Sequence, residues 1–126
     1  MHARRIVDDA GWLSAHHSYT QAAKRLAEVL HAVEQHVEQI EQALHAAQLV
    51  GRQPTPKQLL EIERDHHRLL DLVDAARVYN SRSEPARCKA CLRRLARSLD
   101  HHERRDKELL GRFAWSPDPE PSPREA

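Results

Sequence analysis

Along most of the chain, apolar residues return every three or four positions, the spacing that lines up one face of an α-helix. One stripe runs Ala22, Leu26, Val29, Val33, His36, Ile40, Ala43 and Ala47. A second is Leu59, Ile62, His66, Leu69, Val73 and Ala76, and a third is Cys88, Leu92, Leu95, Leu99, His102, Asp106, Leu109 and Phe113. The breaks between them carry turn chemistry. Gly51 and Gly111 each follow a long pattern, where a left-handed C-terminal cap is expected. Thr55, Pro56 and Gln58 suit an N-cap, a first helical position and a capping box. Asn80-Ser81-Arg82-Ser83-Glu84-Pro85 makes the second break.

These signals predict three long helices, over about residues 20–50, 56–80 and 85–111. A shorter helical lead-in is expected over residues 8–18, with Asp8 or Asp9 as its cap. It either stands apart or runs into the first long helix, because no Gly or Pro separates them. The expected fold class is all-α: one helical bundle domain over residues 1–115. Residues 116–126 alternate proline with polar side chains and read as a disordered, extended tail.

Composition agrees with helices. Aromatics make up 4% of the chain, too few for a sheet that wants aromatic and β-branched residues. With 20 basic and 19 acidic residues the charge is balanced. Arg93, Arg94 and Arg97 therefore read as a solvated helix face and not as a nucleic-acid interface. No apolar run approaches a membrane span, and the N-terminus lacks the apolar core of a secretory signal, so the expected location is the cytoplasm. Cys88 and Cys91 form a single Cys-x-x-Cys, which by itself falls short of a structural zinc site. Cys88 lies on the core stripe and is most simply a small core residue, although thiols in a first helical turn can be redox-sensitive.

The chemistry lies where the stripes turn polar. His36, His66, His102 and Asp106 each interrupt an otherwise apolar face. A carboxylate in a core costs several kcal/mol unless it is paired or holds a metal. His102 and Asp106, four residues apart, project to one side of a helix and can grip a metal ion. Neutral imidazole with carboxylate suits iron, manganese or zinc. The competing reading is a hydrogen-bonded His/Asp network with no ion. Glu41 and His67 flank the apolar faces, and His16 falls near a stripe of Trp12, Tyr19 and Leu26. A phosphotransfer histidine fits less well, since it must be exposed and these histidines lie on apolar stripes.

Two segments resemble signatures of bacterial hemerythrins. Ile62-Glu63-Arg64-Asp65-His66-His67-Arg68-Leu69 is similar to their first-helix motif, and His102-Glu103-Arg104-Arg105-Asp106-Lys107-Glu108-Leu109 to their second. Phe113-Ala114-Trp115-Ser116-Pro117 is similar to the aromatic-proline turn that follows, so the resemblance covers about residues 59–117. It implies a helical bundle holding non-haem iron, either di-iron or mononuclear, with zinc able to occupy the same site. His66, His102 and Asp106 would be the ligands, Asp106 standing where the family carries glutamate. No counterpart of the family's third and fourth helices follows residue 117. His36-Val37-Glu38-Gln39-Ile40-Glu41 upstream is similar to a motif of that half, which implies a permuted arrangement completed by His36, Glu41 and His16. The implied role is binding or sensing dioxygen or a related small ligand, without a turnover reaction. The rival expectation is a metal-free helical module that docks a homodimer partner or another helical protein, because three helices leave a groove for a fourth.

Overall fold

A computed structural model of the chain describes residues 3–51 and 54–112. It consists of four helices: α1 (Ala3–Ala15), α2 (Tyr19–Leu49), α3 (Pro56–Ser81) and α4 (Pro85–Arg112). Each packs antiparallel on its neighbour in sequence, and α1 closes the ring against α4, while α2 and α4 face each other across a diagonal. This is the up-down-up-down order that short connections enforce. Among the described residues no helix is long and apolar enough to cross a membrane.

The lead-in is thus a helix in its own right, and it starts five residues before Asp8. Val7 and Ala10 are its buried face and pack into the core with Ile6, whereas Asp8 and Asp9 sit on the solvent side and cap nothing. The turn between α1 and α2 is made at His17, whose φ of 63° is left-handed. Histidine tolerates that region better than bulkier or branched residues do, and the Tyr19 hydroxyl lies 2.7 Å from His17 Nδ1.

The other boundaries follow their sequence signals closely. Thr55 caps α3 with the reciprocal capping box to Gln58, Pro56 opens the helix, and Gly51 adopts φ 75° after α2. The α3–α4 turn places Ser83 at φ 58°, and buried Asn80 donates from Nδ2 to the Tyr19 carbonyl, tying the end of α3 to the start of α2. Gly111, expected as a stop signal, lies inside α4, which continues to Arg112. Leu59, expected on the buried stripe, is 38% exposed on the rim of α3. Phe113 and the 116–126 tail lie outside the described residues.

Length sets the internal asymmetry. At 1.5 Å per residue, the 13 residues of α1 span about 20 Å and the 31 of α2 about 46 Å. Arg4, in the first turn of α1, pairs with Asp100, and Gly11 faces Leu92 closely enough that an added Cβ would sit 3.6 Å from Leu92 Cδ1. The described part of α1 therefore lies along α4 only up to the level of Asp100. His102 and Asp106 fall beyond it, where α2, α3 and α4 continue together.

Candidate metal centre

The core is divided by a polar layer. On one side lies the main aliphatic cluster, which includes Leu26, Val29, Val33, Leu69, Leu95 and Leu99. On the other lies a small one of Ile40 and Ile62 with Leu44 packed against them. Between Val33 and Ile40 on α2 comes His36; between Ile62 and Leu69 on α3 comes His66; after Leu99 on α4 come His102 and Asp106. Because the three helices run antiparallel in register, their single polar turns meet at one level.

The side chains meet closely. His36 Nε2 donates to Asp106 Oδ2 at 3.1 Å. His102 Nε2 lies 2.7 Å from the same oxygen, an ion-pair contact, and among the described residues neither ring nitrogen of His102 has a partner in hydrogen-bond geometry. His66 packs edge-on to both other rings, with centroids 4.8 Å from His102 and 6.4 Å from His36, and its Nε2 is buried without a partner among the described residues. The ligand atoms of His36, His102 and Asp106 all lie within 4.8 Å of one another. His66, His102 and Asp106 are each less than a tenth exposed, and His36 only slightly more open.

Buried polar atoms are nearly always paired, so two imidazole nitrogens without a partner among the described residues, His66 Nε2 and His102 Nδ1, need an explanation. Their electrostatics fit ligation. Burial pushes His66 down to about 4, with help from the neighbouring His102 and His36 charges and against the pull of Asp106. At neutral pH it is therefore an uncharged ring with a free lone pair, the form that binds metals. Burial also acts to raise Asp106, but the contacts from His102 and His36 outweigh it and hold the carboxyl at about 2. Three imidazoles with one ionised carboxylate are a donor set that suits iron, manganese or zinc, so the residues present fit a divalent ion.

Four of the six residues expected from sequence come together in this layer: His36, His66, His102 and Asp106. Glu41 does not join them. It is exposed and lines, with Leu44, Leu59, Ile62 and His66, the rim of a cavity of about 330 Å³ between α2 and α3. His16 is exposed in the turn after α1, stacked on Trp12 at 4.0 Å and beside Lys89. Lys89 and His102 are thirteen residues apart on α4, about 20 Å along the helix. His67 points to the outside of α3.

Sequence reasoning passed over one group, Arg105. Its guanidinium bridges Glu61, at 2.5 Å, and Asp65 on α3, part-buried beside the histidines. Partial burial and two acceptors make such a clamp stronger than an exposed ion pair. It fixes α3 against α4 at the level of the site. The i, i+4 spacing of Glu61 and Asp65, next to His66, was the available signal. Comparison with known protein families, with curated proteins and with solved structures finds no match to this chain.

Proposed function

We propose that the polar layer is a binding site for one divalent metal ion, most simply iron, and that the protein binds or senses a small ligand such as dioxygen there. The observation that carries this reading is the convergence of His36, His102 and Asp106 ligand atoms within 4.8 Å, beside a buried His66 Nε2 that no group among the described residues satisfies. His102 and Asp106, one helical turn apart, would hold the ion from α4, His36 would hold it from α2, and His66 would close the set from α3. A single carboxylate favours one ion over two, because Glu41 stays at the surface. Ferrous iron supplies the reversible electron donation that dioxygen capture requires. The protein supplies a shielded, aliphatic setting on both sides of the layer. The cavity ending at His66, walled by Leu44, Leu59 and Ile62 and edged by Glu41, His45, Gln48 and Glu63, offers a short route from solvent for a small ligand.

The hydrogen bond from His36 to Asp106 favours a second reading, in which the same four residues form a metal-free polar network in a helical module that pairs with a second copy or another helical protein. Metal content separates the two. Protein prepared without chelator or His-tag and loaded anaerobically with ferrous ion is expected to retain about one iron per chain, and the double variant His66→Leu/His102→Leu none, with helicity unchanged. An absorption change on admitting air would identify dioxygen as a ligand. Equal metal retention by the parent chain and the leucine variant would remove the proposal and leave the network.

A further inference from the structure

A second, smaller cavity of about 240 Å³ opens between α3 and α4 on the flank of the same layer, lined by Asp65, Arg68, Leu69, Arg97, Ser98, His101 and His102. Its lining is unusual for a surface dent. Arg68 and Arg97 come from different helices and make no ion pair among the described residues. Asp65, its one carboxylate, is already taken up by Arg105. His102 also lines the cavity, 2% exposed, and its Nδ1 has no hydrogen-bond partner among the described residues. Two guanidinium groups without an ion pair, the Ser98 hydroxyl and the His101 ring thus share this cavity with a buried imidazole whose Nδ1 has no acceptor among the described residues.

From this arrangement we infer that the cavity takes a small tetrahedral oxyanion of the phosphate type, held by Arg68 and Arg97 and accepting the Nδ1 proton of His102, directly or through one water. Guanidinium groups are the usual phosphate donors, and a cavity of this size admits an inorganic ion but not a drug-sized ligand. The inference has two parts. The anion site stands on the cavity itself. The coupling rests on the metal reading proposed above: a metal-binding histidine usually gives its other ring proton to an outer acceptor, which fixes the tautomer and strengthens the ligand. Among the described residues no acceptor reaches Nδ1, so an anion would fill that role. Because linkage is reciprocal, ion and anion would each tighten the other by the same factor.

The test is a calorimetric titration of inorganic phosphate into the full chain, metal-free and metal-loaded, with acetate as a comparison ion. Phosphate is expected to saturate at one site per chain. The exposed double change Arg68→Gln/Arg97→Gln should weaken it about tenfold or more, and Arg93→Gln/Arg94→Gln, which removes the same charge elsewhere on α4, by less than about twofold. In the loaded chain, phosphate should bind about tenfold more tightly, and the metal should gain the same factor in phosphate buffer. No saturable binding, or equal loss from the two arginine pairs, would overturn the anion site. Acetate binding as tightly as phosphate would overturn the tetrahedral assignment. Metal bound with no mutual effect would overturn the role of His102. If the chain takes up no metal, the metal proposal fails, and the metal-free titration still decides the cavity.

Discussion

Where α1 lies against the other helices, the interior is mainly aliphatic, with buried Ser14 and Asn80 toward its end: Val7 and Ala10 meet Leu26, Val29, Leu92 and Leu95, nearly all without solvent exposure. Past Asp100 the same three long helices carry on with a different filling, His36, His66, His102 and Asp106, and then, among the described residues, Ile40, Ala43, Ala47 and Ile62. In the first region the burial of apolar area holds the helices together. In the second, much of the inward-facing surface is polar and contributes little by transfer, so the helices depend on the Arg105 clamp, on the capped α2–α3 turn and, in the proposed function, on an ion. Stability and chemistry are thus segregated along the bundle axis, and each half responds to a different kind of perturbation.

The largest effect is expected from a cavity in the aliphatic half. Leu95 is fully buried, and Leu95→Ala should lower the unfolding free energy by about 3–5 kcal/mol. Ile40→Ala removes a similar volume from the small cluster at the far end, which is open to a cavity and can collapse; about 1–2 kcal/mol is expected there. Urea unfolding of the metal-free chain followed by circular dichroism measures both. Equal losses would mean that the two halves share one core and that the polar layer does not divide it.

The next effect is set by pH and belongs to the other half. His66 titrates at about 4 in the fold against its ordinary 6.5, so between those values the unfolded chain binds the extra proton. Unfolding free energy must then rise with pH across that window. The contribution of a neutral His66 is complete above pH 6.5 and is lost as the pH falls toward 4, by about 3 kcal/mol in all. Asp106 acts lower down. Its depressed value of about 2 gives stability that is present above its ordinary 3.8 and fades as the pH approaches 2. Denaturant midpoints of the metal-free protein at pH 7, 5.5 and 4 should fall in sequence, and His66→Leu should flatten that series. An unchanged slope in the variant would place the acid sensitivity elsewhere.

How far the sequence foretold this division differs between its parts. The three long helices and the polar layer were legible because period and punctuation agree: Gly51, Thr55-Pro56 and Pro85 bound stripes whose polar members fall at matching depths. The first helix was harder to place. Its turn uses His17 in a left-handed conformation with no glycine or proline to mark it, and Asp8 and Asp9 look like caps although they face solvent in mid-helix. Glu41 and His16 fit their stripes within one residue, but periodicity gives the face of a helix and not its distance along the bundle. His16 is removed from the layer by length, and Glu41 by rotation to the rim. Arg105 escaped notice because an arginine among charged neighbours looks solvated until its partners on another helix are known.

The smallest of the expected effects separates the halves most directly, because it is local. Thr55 accepts from Gln58 N while Gln58 returns to the Thr55 N–H, and this capping box closes the first turn of α3 at the end that α1 does not reach. Thr55→Ala should cost about 1 kcal/mol, roughly a fivefold change in an opening equilibrium. If the far end opens on its own, amide exchange should quicken by that factor in the first turns of α3, while the amides of α1 and those around Leu69 and Leu95 keep their protection. If instead every slow amide quickens together, the bundle opens as one unit. The polar layer would then be no boundary to cooperative unfolding, and a ligand could reach it only through the cavities already present in the fold.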